Sequence, residues 1–106
     1  MTFDEFVKKS EGLSKQIETL TDEVEECICE AAVCYAENHK NPSQDNAQHV
    51  IDCMSKAKSK TYEKISLLQE QLTLLELVDD TYGAKFALKS ELLKLIDQHY
   101  DMLENM

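Results

Sequence analysis

Four cysteines are the residues of this 106-residue chain with the most varied chemistry, since a thiol can bind metal, form a disulfide or fill a core. They stand at Cys27, Cys29, Cys34 and Cys53, so the spacing is C-x-C, then four residues, then eighteen. This spacing lacks the paired C-x-x-C of many zinc sites. We therefore predict reduced thiols that act mainly as small buried apolar residues.

Two other uses of the thiols stay open at this stage. Cys29 and Cys53 could form a disulfide across a helical hairpin. The cysteines of segment 27–34 could also bind a metal with His39 or His49, although a closed zinc site needs four converging ligands. Neither pattern is specific, and we expect no metal and no cofactor.

Catalytic motifs are missing from the sequence. The three histidines are far apart, and none stands in an H-x-x-x-H or H-E-x-x-H context. Asp79-Asp80 is interpreted as a solvated or helix-capping pair. The only glycines are Gly12 and Gly83, which excludes a glycine-rich phosphate loop. We predict that the chain is not an enzyme.

Composition indicates an acidic all-α protein. There are 21 acidic residues against 11 basic ones, all of them lysine, for a formal charge of −10. Direct nucleic-acid binding is disfavoured, because phosphate recognition depends on concentrated positive charge and often on arginine. Residues 1–46 hold eleven acids and four lysines, so the acidity is concentrated in the first half. With 42% hydrophobic residues, 2 Gly and 1 Pro, the chain has enough apolar surface to fold but few turns.

Targeting and membrane signals are not found. The sequence opens with acids at Asp4 and Glu5 before any apolar run, unlike a secretory signal. The most apolar window, 67–78, is interrupted by Gln and Glu, whereas a membrane-spanning helix needs about 20 apolar residues. We expect a soluble intracellular protein that is not secreted and has no membrane partner.

Hydrophobic residues recur alternately three and four positions apart along the whole chain, which is a heptad pattern. Gly12 and Ser14 favour a break in the first helix, and Asn41-Pro42 resembles a capped helix start. The predicted fold is an elongated antiparallel helical hairpin or coiled coil, in one domain covering residues 1–106. Its elements are a short helix at 3–11, a long helix at 14–40, a turn at 41–42, a long helix at 43–78, a kink or break at 79–84 and a last helix at 84–104.

The second long helix shows an apolar surface wider than a two-helix seam can cover, around Leu67, Leu72 and Leu77. Either the last segment or another chain must cover it. We favour another chain, which would give a four-helix-type bundle with a homodimeric or hetero-oligomeric partner.

Two segments carry a family resemblance. The stretches 85–88 (Lys-Phe-Ala-Leu) and 95–104 (Leu-Ile-Asp-Gln-His-Tyr-Asp-Met-Leu-Glu) resemble the end of the N-terminal helical domain of inhibitor-of-growth (ING) proteins. The stretch 3–7 (Phe-Asp-Glu-Phe-Val), with Glu11 and Leu13, resembles the opening of that domain. The chain departs from the family at Ser14, where the family has proline, and at Gln98 and Asp101, where it has basic residues. The cysteine and histidine set of a PHD finger does not occur in these residues, so methylated-histone reading is not carried over.

The resemblance implies a nuclear, non-catalytic dimerisation and scaffold subunit of a histone acetyltransferase or deacetylase complex. Such a subunit works by presenting helix faces to other proteins. The residues expected to bind partners are Ile17, Leu20, Val24, Ile65, Leu68, Leu72, Leu75, Leu93, Ile96, His99 and Leu103. The alternative for each of them taken singly is a place in the internal core of the hairpin. The alternative hypothesis keeps the fold and makes the chain a coiled-coil adaptor of a cytoplasmic, kinetochore or vesicle-tethering assembly.

Overall fold

The structure, a computed structural model, describes residues 1–79 and 83–106 and contains three helices in that part of the chain. Helix α1 spans Phe3–Lys40, α2 spans Gln44–Glu76 and α3 spans Ala84–Glu104. The fold is all-α and elongated, as predicted, with extents of 62 × 22 × 14 Å. No helix in the described residues has a stretch long and apolar enough to span a bilayer.

Helix α1 is continuous, so the predicted break between a helix at 3–11 and one at 14–40 is wrong. Its first turn is capped by Thr2, whose side chain accepts a hydrogen bond from the Glu5 amide at 3.2 Å. Gly12 lies inside the helix, where it costs about 1 kcal/mol relative to alanine, less than the packing of a long amphipathic face supplies. Ser14 does not cap a helix, because its Oγ accepts a hydrogen bond from Gln71 Nε2 of α2.

The turn between α1 and α2 falls at the predicted place, with a different capping residue. The N-cap of α2 is Ser43 and not Asn41: Ser43 Oγ accepts from the Asn46 amide at 3.1 Å. The Asn41 amide instead donates to the Glu37 carbonyl at 2.9 Å and closes α1. Proline at position 42 therefore precedes the cap.

Helices α2 and α3 are separate elements. Helix α2 ends at Glu76, two residues before the predicted boundary, and Gly83 precedes α3 with a positive φ of 78° that glycine tolerates best. The predicted kink or break at 79–84 lies partly outside the described residues. Lys85 Nζ donates to the Glu76 carbonyl at 3.0 Å and to the Val78 carbonyl at 3.2 Å. These bonds satisfy carbonyl groups at the end of α2 and tie α3 to it.

Helix α2 is the central helix, and both α1 and α3 pack against it. Helix α3 turns back over part of the apolar surface of α2, while Leu77 stays 61% exposed, so pairing with another chain stays a prediction. At 1.5 Å per residue α3 is about 31 Å long, enough to cover the second half of α2. The hydrophobic cluster built in this way contains Phe6, Ile65, Leu68, Leu75, Val78, Leu92 and Ile96.

The hairpin therefore has two unlike ends. We call residues 1–17, 65–79 and 83–104 the base, where three helices enclose the cluster. We call residues 24–57 the tip, where α1 and α2 form the described structure. The buried residues of the tip are small: Val24, Ala31, Cys53 and Ala57.

Candidate protein-interaction surface

The residues predicted to bind partners pack mostly inside the chain. Six are buried: Val24, Ile65, Leu68, Leu75, Ile96 and His99. Four more are partly buried: Ile17, Leu20, Leu72 and Leu103. Only Leu93 is exposed, at 44%. The structure thus places the predicted set in the interior of the fold, with one position left at the surface.

An apolar stripe runs along the outside of α3. Phe86, Leu93 and Tyr100 are 76%, 44% and 44% exposed and are spaced by seven residues. Seven residues make almost two helical turns, so the three side chains lie on one line along the helix. We call this line the α3 stripe. In the described part of the chain it is an exposed apolar surface, adjacent to the face of α3 that packs on α2.

Phe86 and Tyr100 belong to the heptad pattern of the last helix, and the pattern alone does not show which of its apolar positions are exposed. The heptad pattern of α3 contains two rows, one with Ile96 and Leu103 and the other formed by the α3 stripe. The structure buries Ile96 and leaves the stripe outside. The width of the apolar face of α3 could have indicated that one row stays exposed, because a single central helix covers only about one of two adjacent rows.

Charge is distributed unequally along α3. Residues 84–94 carry three lysines and one glutamate, whereas residues 95–104 carry two aspartates and one glutamate. Lys89 Nζ forms an ion pair with Glu76 Oε1 at 2.7 Å. The hydrogen bond from Lys89, helped by its charge, lowers the pKa of the Glu76 carboxyl. The first half of α3 is therefore basic and its second half acidic.

A second surface feature is an open groove of about 610 Å³ between α1 and α2. Leu20 and Leu67 line it, together with Glu23 and Glu63. Next to the groove, Lys60 Nζ of α2 donates a hydrogen bond to Glu23 Oε2 of α1 at 2.6 Å. This hydrogen bond raises the pKa of the Lys60 ammonium. The groove is thus a small apolar patch edged by carboxylates.

The thiols of the tip are free in the structure, as predicted, and the alternative of a Cys29–Cys53 disulfide is not formed there. Cys29 is exposed and Cys53 is buried, so the C-x-C pair does not present both thiols to α2. Burial raises the pKa of the Cys53 thiol, with smaller contributions from Glu30, Cys34 and Cys27. Cys27 and Cys34 are themselves partly buried on α1.

His99, which the resemblance marked for partner binding, is buried in α3. Its Nδ1 lies 2.6 Å from the Leu95 carbonyl, so Nδ1 carries the proton that it donates to this oxygen. Its Nε2 is enclosed without a hydrogen-bond partner in the part of the chain that the structure describes. This geometry makes His99 part of the helix packing rather than of a surface.

Comparison with known proteins adds no relative. No protein-family model, no curated protein and no solved structure matches the chain.

Proposed function

We propose that this chain is a non-catalytic helical scaffold that assembles with other protein chains through the α3 stripe. The exposed row of Phe86, Leu93 and Tyr100 carries the proposal. Large aromatic and aliphatic side chains in one line provide the apolar centre that protein interfaces need. A partner helix of matching heptad spacing fits such a line.

The first partner is a second copy of the chain, packed antiparallel along α3. The stripe is symmetric about Leu93, so in this arrangement Leu93 meets Leu93 of the partner subunit. Phe86 then meets Tyr100 of the partner subunit. The basic first half of each α3 lies beside the acidic second half of the other, and this pairing favours the antiparallel orientation over the parallel one. Such an interface is isologous, as expected for a closed dimer.

Light scattering on the purified chain at micromolar concentration tests the dimer. We expect a dimer for the natural sequence and a monomer for Leu93→Lys, because two lysines would face each other at the symmetry axis. Val33→Lys is the matched control: Val33 is 64% exposed on α1, at the tip. It should leave the dimer intact. A natural chain that is monomeric under these conditions contradicts self-assembly through α3.

The orientation has its own test. In a chain with Cys29→Ser, which removes the exposed thiol, Leu93→Cys should crosslink to itself under mild oxidation in an antiparallel dimer. Phe86→Cys should crosslink only when mixed with Tyr100→Cys. Self-crosslinking of Phe86→Cys would show parallel packing instead.

We further propose that the scaffold belongs to a histone acetyltransferase or deacetylase complex in the nucleus. The resemblance of segments 85–88 and 95–104 to inhibitor-of-growth proteins supports this setting. Lys85, in the first of these segments, bonds the end of α2, and His99, in the second, is packed inside the fold.

Affinity purification from the native cell, followed by mass spectrometry, tests the setting separately from the dimer. We expect acetyltransferase or deacetylase subunits with the natural chain, and fewer of them with Leu93→Lys. Consistent recovery of kinetochore or vesicle-tethering subunits instead would support the coiled-coil adaptor hypothesis and exclude the chromatin setting.

A further inference from the structure

Three metal-ligating side chains of different chemistry converge at the tip. Glu30 of α1 and His49 and Cys53 of α2 each offer one ligand atom, and the three atoms lie within 4.8 Å of one another. His49 Nε2 and Glu30 Oε1 are 2.9 Å apart. His49 and Cys53 are four residues apart on α2, so they share a helix face. The cluster thus joins the two helices of the hairpin.

The dimensions of the cluster suit a tetrahedral zinc ion. Zn²⁺ binds sulfur, nitrogen and oxygen at about 2.0–2.3 Å, which places neighbouring ligand atoms about 3.3–3.8 Å apart. The His49–Glu30 separation of 2.9 Å is slightly shorter than that range, and no separation among the three ligand atoms exceeds 4.8 Å. Thiolate and imidazole together favour Zn²⁺ over Mg²⁺ or Ca²⁺, which prefer oxygen ligands.

Two further thiols lie on the same face of α1 as Glu30. Cys27 and Cys34 precede and follow Glu30 by about one helical turn, and both are partly buried. The spacings of three and four residues place both thiols on the same face of α1 as Glu30. A second thiolate would complete a closed four-ligand set of the kind that structural zinc sites use.

We propose that Glu30, His49 and Cys53 bind one Zn²⁺ ion, with a thiolate from Cys27 or Cys34 as the fourth ligand. The side chains of Glu30 and His49 are 57% and 47% exposed, so an ion can enter from solvent on that side. Cys53 is buried and holds the ion from within the hairpin. The ion ties α1 to α2 in the region that the hydrophobic cluster of the base does not reach.

Titration of the purified full chain with Co²⁺, followed by displacement with Zn²⁺, tests the site. We expect one ion per chain and the thiolate charge-transfer and visible bands of tetrahedral Co²⁺. Loss of a residue that only orients a ligand costs about 10–100-fold in metal affinity, so His49→Ala and Cys53→Ser should each exceed about 100-fold. Glu30→Gln should weaken binding in a chain that still folds, since Glu30 is at the surface.

Two control variants change residues of α1 that lie outside the cluster. Cys29→Ser and His39→Ala change exposed residues and should leave the affinity for Zn²⁺ unchanged. Of Cys27→Ser and Cys34→Ser, one should lower the affinity and weaken the charge-transfer band. The proposal is overturned by a chain that takes up no stoichiometric ion, by Co²⁺ spectra without thiolate bands, or by Glu30→Gln and Cys53→Ser variants that bind as the natural chain does.

Discussion

The base and the tip of the hairpin are held together in different ways. At the base, three helices enclose a continuous hydrophobic cluster whose members include Leu75, fully buried on α2, and Leu92 of α3. At the tip, two helices meet through small residues such as Ala31 and Ala57 and through polar pairs at the surface. The base therefore supplies most of the hydrophobic stabilisation, and the tip has only a narrow apolar seam.

This difference predicts that the tip opens more easily than the base. A two-helix segment buries one stripe per helix, so its opening costs less free energy than opening of the base. A metal tie at the tip and a partner helix on α3 would each strengthen a different end. The comparison also predicts that equal substitutions have unequal effects at the two ends.

The largest difference is expected for isoleucine on α2. Ile65 is 3% exposed at the base and Ile51 is 57% exposed at the tip. Ile65→Ala should lower the free energy of unfolding by about 2–5 kcal/mol, because it leaves a cavity in the cluster. Ile51→Ala should change it by less than about 0.5 kcal/mol. Urea unfolding measures the change in the free energy of unfolding for both variants. Equal losses of stability would contradict the assignment of the core to the base.

The heptad pattern predicted the helices, the turn and the elongated shape, and Ile65 and Leu68 of its row lie in the hydrophobic cluster. It did not include Lys64 and Gln71 of α2, which interact with Glu25 and Ser14 of α1. Gln71 Nε2 donates to Ser14 Oγ at 2.9 Å and so satisfies its buried amide across the interface. A polar residue that packs through a specific partner carries no hydrophobic signal, and its position could not be predicted from the pattern.

The α3 stripe and the cluster of metal-ligating side chains were harder to predict than the fold. Phe86, Leu93 and Tyr100 were visible as apolar heptad positions, but their exposure depends on where α3 docks on α2. Glu30, His49 and Cys53 come together only when the hairpin register is known, since Glu30 is nineteen residues from His49 in sequence. Residue type and spacing predict faces of helices, while the contacts between faces depend on register and on the turn.

The next effect concerns Lys64, which is 5% exposed on α2. Burial lowers the pKa of its ammonium, against a smaller opposing effect from Glu25. Lys64→Met keeps the length of the side chain and removes the buried charge, so it should stabilise the fold by about 1–2 kcal/mol at neutral pH. Lys58→Met, at an exposed position of the same helix, should have almost no effect.

The pH dependence of that gain has a definite sign. A lysine with a lowered folded pKa binds its proton more tightly in the unfolded chain, so the stability of the natural protein rises with pH above the folded pKa. The rise ends near the unfolded pKa, for which the reference value is 10.5. The stability gap between the Lys64→Met variant and the natural chain should therefore narrow as pH increases towards that value. A gap that widens contradicts burial of the charge.

A smaller effect is expected at the tip, where Ser43 caps α2. Ser43→Ala removes the acceptor for the Asn46 amide and should cost about 1 kcal/mol. Because the tip lies outside the hydrophobic cluster, the loss should appear as faster amide exchange in the first turn of α2, with slower exchange retained in the base. Ser55→Ala, at an exposed interior position of α2, is the matched control and should leave exchange in that turn unchanged.

The last pair of substitutions distinguishes the two glycines by the sign of their effect on stability. Gly12 lies inside α1, and a Cβ built there meets no atom within 4 Å. Gly12→Ala should therefore stabilise the protein by about 0.5–1 kcal/mol, since alanine loses less backbone entropy in a helix. Gly83 has equally open space but a φ of 78°, so Gly83→Ala should be destabilising by about 1–2 kcal/mol. Thermal unfolding that shows opposite signs for the two variants supports a continuous α1 and a left-handed residue before α3, whereas a loss at Gly12 would mean that α1 is interrupted there.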